Sequence, residues 1–124
     1  MSDPIRVVLV EDNSTFRETL QLVFGLRQEI RVVGSVASGH EAPALCAELE
    51  PDVVLMDYRM PGMNGAEATR AVLAAAPATR VVCLTASVTK TEIAELLAAG
   101  AVACLTKDED FDRIVAAVED AAGR

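Results

Sequence analysis

Five short apolar runs alternate along this chain with segments of helical spacing, and this alternation constrains the fold more than any other feature. The runs are Ile5 to Val10, Ile30 to Val36, Val53 to Met56, Val81 to Leu84 and Ala101 to Leu105. They are short and rich in β-branched residues, and several are apolar throughout, as is typical of parallel strands covered on both faces. Since each strand is followed by a helix, we predict a doubly wound α/β fold with a five-stranded parallel sheet and helices on both faces.

The segments between these runs carry helix boundary signals. Three pairs match the S/T-x-x-E capping box and predict helix starts: Thr15 with Glu18, Ser38 with Glu41 and Thr89 with Glu92. Pro77 and Gly100 stand where helices should end. If Ser38 caps the second helix, Pro43 falls inside that helix and removes a backbone hydrogen bond. The start of the second helix is therefore the least well defined boundary.

Length and composition predict a single domain over residues 1–124. Hydrophobic residues make up 52% of the chain and aromatic residues only 3%, so the interior must consist of Val, Leu, Ile and Ala. A chain of this size can bury a substantial core. We see no linker, no low-complexity tract and no second domain in the sequence.

Charge and cysteine usage exclude several classes of function. A net charge of -8 repels phosphate backbones, so we expect no direct nucleic-acid binding by this chain. Cys46, Cys83 and Cys104 are odd in number and lack CxxC spacing, which argues against a disulfide framework or a zinc site. With no signal-peptide pattern and no apolar stretch of about 20 residues, we expect a cytoplasmic protein without a membrane partner.

Polar residues follow four of the predicted strands at their carboxyl ends. Glu11 and Asp12 follow the first strand, Asp57 the third, Thr85 ends the fourth and Lys107 follows the fifth. Ligands of parallel α/β sheets bind beyond the carboxyl ends of the strands. Three carboxylates, a hydroxyl and an ammonium at one sheet edge predict a site for a hard cation and a phosphoryl group.

This set of residues suits phosphoryl transfer to an aspartate. Mg²⁺ prefers oxygen ligands and is often held by one or two carboxylates, here Asp12 and Asp57. A carboxylate can attack phosphorus when the charge of the transferred group is neutralised, which the metal, Lys107 and Thr85 would do together. Each residue alone has a simpler interpretation, such as a solvated turn, a strand residue or a surface charge. Their placement at one edge favours the functional interpretation.

The chain resembles the receiver domain of bacterial two-component response regulators. The motifs that carry the resemblance run in order along the chain: Val10-Glu11-Asp12-Asn13, Asp57-Tyr58-Arg59-Met60-Pro61-Gly62-Met63-Asn64-Gly65, Leu84-Thr85-Ala86, Gly100-Ala101 and Lys107-Asp108. The resemblance implies a flavodoxin-like sheet with strand order 2-1-3-4-5 and a site beside the first and third strands.

The resemblance also implies roles. Asp57 would be phosphorylated by a sensor histidine kinase and slowly lose the group by self-dephosphorylation, so the domain is expected to signal and not to turn over a substrate. The implied ligands of Mg²⁺ or Mn²⁺ are Glu11, Asp12, Asp57 and the main-chain carbonyl of Arg59. The implied phosphoryl-binding and switch residues are Thr85, Ala86 and Lys107. Phosphorylation would change the surface of the fourth helix, fifth strand and fifth helix, through which family members often form homodimers.

The run Asp57-x-Arg59-Met60-Pro61, with Lys107-Asp108, is most similar to the NarL/LuxR-type branch. Receivers of that branch precede a helix-turn-helix DNA-binding domain and control transcription. We expect such a domain in the full-length protein. Because the chain stops at Arg124, just after the last predicted helix, we expect either an excised receiver or a stand-alone regulator.

Two positions depart from the family pattern. Asn64-Gly65 replaces the common Asp-Gly and should preserve the turn. Cys104 stands where most members have a Tyr or Phe that moves inward on activation. We therefore hypothesise that coupling runs through Thr85 and the loop after it alone, or is weaker than in other members.

Three alternatives remain open. A phosphatase of the haloacid dehalogenase type would need a second Asp where this chain has Arg59. A nucleotide or flavin binder would need a glycine-rich phosphate loop, which follows none of the strands, or stacking aromatics, which are almost absent. A degenerate receiver, acting as a phosphorylation-independent interaction module, is favoured only by Cys104. His40, the single histidine, is best interpreted as a solvated surface residue.

Overall fold

A computed structural model of the chain describes residues 3–86 and 89–124. The strands are Ile5–Val10 (β1), Ile30–Val36 (β2), Val53–Met56 (β3), Arg80–Thr85 (β4) and Ala103–Thr106 (β5). The helices are Ser14–Gly25 (α1), Ala42–Leu49 (α2), Gly65–Ala75 (α3), Lys90–Ala99 (α4) and Phe111–Ala121 (α5). Within these ranges no helix is long and apolar enough to cross a membrane.

All five strands are parallel and form one sheet in the order β2-β1-β3-β4-β5, which confirms the predicted fold and strand order. The first three strands have the predicted bounds, and β4 extends one residue further at each end. The predicted start of the fifth strand at Ala101 is wrong by two residues. The Ala101 amide donates to the Leu96 carbonyl over 3.0 Å, so this residue completes the end of α4 instead of joining the sheet.

The sheet is covered on both sides, which explains why its central strands are apolar at successive positions. Alternate residues of a strand point to opposite faces. One face packs under α1 and α5, the other under α2, α3 and α4. On the α1/α5 side the central strands contribute Val7, Leu9, Val53 and Leu55, and on the α2/α3/α4 side they contribute Val8, Val10, Val54 and Met56.

The helix boundaries confirm some of the predicted caps and correct others. The Thr89–Glu92 capping box is present, and Gly100 ends α4 in a left-handed conformation with φ of 113°. The α1 cap is Asn13 and not Thr15, because the Asn13 side chain accepts the Phe16 amide. Pro77 follows α3, as predicted.

The second helix starts later than its Ser38 signal suggests. It begins at Ala42, which places Pro43 in the first turn, where no intrahelical bond is lost. The Ser38 hydroxyl and the Glu41 carboxylate form a 3.1 Å hydrogen bond with each other in the preceding turn. The capping-box pattern at Ser38 therefore marks a local contact and not a helix start.

Candidate functional site

The ends of β1 and β3 bring three carboxylates together. Val10 and Met56 are paired in register, and the Asp57 amide donates to the Val10 carbonyl over 2.9 Å. The residues that follow each strand are therefore neighbours. Glu11, Asp12 and Asp57 each offer a carboxylate oxygen, and these oxygens lie within 4.8 Å of one another.

Lys107, which directly follows β5, adds an ammonium to this group of carboxylates. Its Nζ lies 2.8 Å and 2.9 Å from the two carboxylate oxygens of Glu11 and 3.5 Å from Oδ2 of Asp57. The position is set by the backbone, because the Lys107 amide donates to the Thr85 carbonyl over 2.7 Å just beyond β4. One ammonium therefore faces two carboxylates that come from different strands.

Burial makes Asp57 an unusual aspartate. Glu11 is 3% exposed and Asp57 4%, whereas Asp12 faces solvent. Burial and, after it, the neighbouring Glu11 charge raise the pKa of Asp57 from 3.8 to about 7, against the opposing effect of the Lys107 ammonium. Two buried carboxylates thus share one ammonium, and a further cation at the site would favour the ionised form of Asp57.

The donor set fits a hard divalent cation. All three side chains offer carboxylate oxygen, the ligand that Mg²⁺ and Mn²⁺ prefer, and the exposed Asp12 leaves an open side for water. Arg59, whose main-chain carbonyl the family resemblance assigns to the metal, lies in the loop that follows Asp57. The residues present therefore suit a magnesium site.

Thr85 and Ala86 lie beside this group at the end of β4. Thr85 is fully buried, and among the described residues its hydroxyl has no hydrogen-bond partner. A buried hydroxyl without a partner is uncommon and available to a ligand oxygen. Ala86 follows at the surface, and the loop continues through residues 87 and 88, which lie outside the described ranges.

Cys104 lies in β5, paired in register with Cys83 of β4. It is half-buried and packs against the core cluster under α2, α3 and α4. All three cysteines are free thiols, and burial raises the pKa of each, to about 11 for Cys46 and about 12 for Cys83. They are therefore protonated small residues of the interior, except that Cys104 is less buried than predicted.

Gly65 has a role that the turn pattern did not reveal. Its φ is not positive, since it is the first residue of α3, with Asn64 and Glu67 forming the capping box. A Cβ on Gly65 would lie 2.4 Å from the Asp57 carbonyl oxygen. Glycine is thus required because the start of α3 packs directly against the backbone of Asp57.

The loop after Asp57 also forms hydrogen bonds with α4, which the sequence motifs do not predict. The Tyr58 hydroxyl is 3.1 Å from a Glu95 carboxylate oxygen, and the Arg59 guanidinium is 3.0 Å from Oε1 of Glu92. The same Glu92 oxygen accepts the Thr89 amide at the start of the helix. These contacts are a second connection between the site and α4, and the hypothesis that coupling runs through Thr85 and the loop after it alone, or is weaker, stays a prediction. The only sequence signal for these contacts was the i,i+3 spacing of Glu92 and Glu95, which places both glutamates on one face of α4.

Comparisons with known proteins agree with this geometry. The sequence profile of the response regulator receiver domain matches residues 7–119. The transcriptional regulatory protein LnrK of Bacillus subtilis is 40% identical over 114 residues, which cover 92% of this chain and 52% of LnrK. The chain thus spans about half the length of the regulators that it matches.

Solved structures give the same result. The signal receiver domain of NarL from Mycobacterium tuberculosis superposes with a TM-score of 0.92 at 37% identity, covering 98% of both chains. A LuxR-family two-component response regulator from Aurantimonas sp. SI85-9A1 has a TM-score of 0.90 at 34% identity, covering 98% of this chain and 87% of its own. This chain therefore belongs to the response regulator receiver domains and is related to those of the NarL/LuxR type.

Proposed function

We propose that this domain accepts a phosphoryl group from a sensor histidine kinase onto Asp57, in a reaction that requires Mg²⁺ or Mn²⁺. The observation that carries the proposal is the position of the Asp57 carboxylate. It is buried at a strand end, with an acidic pair on one side and the Lys107 ammonium 3.5 Å away. Phosphoryl transfer accounts for a buried carboxylate that is placed beside other carboxylates and an ammonium in this way.

In the proposed reaction an oxygen of ionised Asp57 forms a bond to phosphorus, and the bond from phosphorus to the donor nitrogen breaks. The leaving imidazole of the kinase keeps the electron pair and takes up a proton. A bound divalent cation would be held by Glu11, Asp12, Asp57 and the Arg59 carbonyl, and would supply positive charge at the phosphoryl oxygens. Lys107 would supply a second charge.

The Thr85 hydroxyl would donate a hydrogen bond to a phosphoryl oxygen. It is already buried beside the site and lacks another partner among the described residues, so this contact would replace nothing. Movement of Thr85 and of the loop after it would be passed to α4, with the Tyr58 and Arg59 contacts as a second connection. The response is a population shift biased by a local charge.

The length of the related regulators indicates what this domain would control. Because regulators such as LnrK are about twice as long as this chain, we propose that the domain controls a C-terminal helix-turn-helix DNA-binding domain in the full-length protein. The surface of α4, β5 and α5 would serve homodimer formation. We propose a cytoplasmic signalling domain that does not turn over external phosphoesters, because Arg59 stands where a phosphatase would need a second acid.

A degenerate receiver that signals without phosphorylation is the second candidate. Cys104 favours it, because a small half-buried thiol replaces the aromatic side chain of other members. The two candidates differ in whether Asp57 is modified at all.

The deciding experiment is incubation with acetyl phosphate and Mg²⁺ followed by intact mass measurement. We expect one phosphoryl adduct on the unmodified protein and on Asp52→Asn, and none on Asp57→Asn. Asp52 is the matched control, because it is an exposed aspartate at the opposite end of the same strand. An adduct that persists in Asp57→Asn would overturn the assignment, and a protein that never forms an adduct would favour the degenerate receiver.

A further inference from the structure

Besides Glu11 and Asp57, the Lys107 ammonium contacts Phe16, a residue that the family motifs do not include. It lies 4.8 Å from the centre of the Phe16 ring, over the ring face. It also lies 2.8 Å and 2.9 Å from the two carboxylate oxygens of Glu11. The ammonium thus contacts both a carboxylate and an aromatic ring.

Phe16 is itself firmly placed. It lies in the first turn of α1, where its amide donates to the Asn13 cap over 2.8 Å. Its half-buried ring packs against the core cluster under α1 and α5. The ring is thus supported by its helix and by the core, whereas the lysine can turn on its flexible side-chain stem.

The physical interaction is a cation–π contact. The face of an aromatic ring is electrostatically negative, and a cation within about 6 Å of its centre is attracted, more strongly where water is excluded. The Lys107 side chain is only 18% exposed, so water screens this contact little. Unlike a carboxylate, the ring carries no formal charge, so it attracts the ammonium without neutralising the charge that a phosphoryl group would meet.

We propose that Phe16 is a positioning residue for phosphoryl transfer. Its ring face keeps the Lys107 ammonium at the Asp57 side of the site while the ammonium turns from Glu11 to the incoming phosphoryl oxygens. This inference rests on the proposed function. It adds a residue of α1 to a site otherwise built from strand ends.

A purely structural role for Phe16 makes a different prediction. If the ring only fills space in the core, its size and hydrophobicity matter but its electrostatic potential does not. Fluorine substitution on the ring weakens the negative face while retaining the shape of phenylalanine. The two roles can therefore be separated at one position.

The test replaces Phe16 with 4-fluoro-, 3,5-difluoro- and 3,4,5-trifluorophenylalanine by site-specific incorporation. The initial rate of Asp57 adduct formation is measured with acetyl phosphate and Mg²⁺ by intact mass. We expect the logarithm of the rate to fall stepwise, about threefold to tenfold over the series. Phe16→Tyr should retain most of the rate, and Phe16→Leu should lose about as much as the trifluoro ring.

Phe24 provides the matched control. It lies in the same helix and packs into the same core cluster, 1% exposed, and the same fluorinated series there should leave the rate unchanged. A flat series at Phe16, in a protein whose Asp57 is phosphorylated, would overturn the inference and leave the proposed function intact. Absence of any Asp57 adduct in the unmodified protein would overturn the proposed function itself.

Discussion

The two sides of this site are built differently. β1 and β3, which carry the carboxylates, are almost entirely buried, whereas all four residues of β5 are half-buried. The acceptor side is therefore held by apolar packing on both faces of the sheet, and β5 by less.

This difference suits a domain that must keep the Asp57 carboxylate in a fixed position while the surface of α4 and β5 moves. Free energy of folding comes mainly from apolar burial, and weakly packed elements open or shift at lower cost. On the α4/β5 side, polar contacts partly replace apolar packing: Arg59 with Glu92, and Tyr58 with Glu95. Such contacts can be exchanged without opening the core.

The largest expected effect tests this comparison with one substitution made on each side. Leu9→Ala in β1 removes a fully buried side chain and should lower the free energy of unfolding by about 2–5 kcal/mol. Leu105→Ala in β5 removes a half-buried leucine that packs against the same cluster and should cost roughly 1 kcal/mol. Urea denaturation measures both, and equal losses would contradict the comparison.

A smaller effect concerns the charge of Asp57. Its pKa is raised from the ordinary 3.8 to about 7, so between these values the native protein holds a proton that the unfolded chain has released. The free energy of unfolding of the metal-free protein should therefore fall as pH rises through this window, by on the order of 2 kcal/mol between about pH 5 and about pH 7.

Asp57→Asn removes this ionisation and should flatten the pH dependence, while Asp52→Asn should not. Urea denaturation in a chelator at about pH 5 and about pH 8 compares the three proteins. Added Mg²⁺ should restore stability to the unmodified protein at the higher pH and do little for Asp57→Asn. The same pH slope in Asp57→Asn as in the unmodified protein would show that another group causes it.

The smallest effect on stability is expected from the contacts to α4. Arg59 is more than half exposed, so its ion pair with Glu92 should contribute only about 0.2–1 kcal/mol to the free energy of unfolding. A double-mutant cycle with Arg59→Gln and Glu92→Gln measures it. Because Glu92 also caps α4, the single change at Glu92 should cost more than the change at Arg59.

The effect of these substitutions on signalling should exceed their effect on stability. In Arg59→Gln with Tyr58→Phe, the amide shifts of α4 caused by beryllofluoride and Mg²⁺ should be smaller than in the unmodified protein. If the amide shifts of α4 are as large in this variant as in the unmodified protein, the site is coupled to α4 through Thr85 and the loop after it alone. A shift pattern as large as that of receivers with an aromatic residue at the Cys104 position would show that Cys104 does not weaken the response.

Much of the fold could be predicted because its signals are local. The apolar runs predict the bounds of β1, β2 and β3. The signal is clearest in β3, which is buried at all four positions and apolar at each of them. The Thr89 cap and Gly100 terminate α4 through backbone hydrogen bonds within one turn. The capping signal at Thr15 failed because Asn13, two residues earlier, caps α1 instead. The signal at Ser38 failed because Pro43 is compatible only with the first turn of a helix, so α2 begins at Ala42.

The sequence by itself determined which residues reach the site edge, since the order of strands and the residue after each strand are properties of the chain. The tertiary structure alone decided how those residues meet. Residues far apart in the chain produce the burial of the Asp57 carboxylate, the ring of Phe16 over Lys107 and the two contacts to α4. The contact of Gly65 with the Asp57 backbone depends on how the loop between them folds. Distances and desolvation depend on packing, which no local pattern encodes.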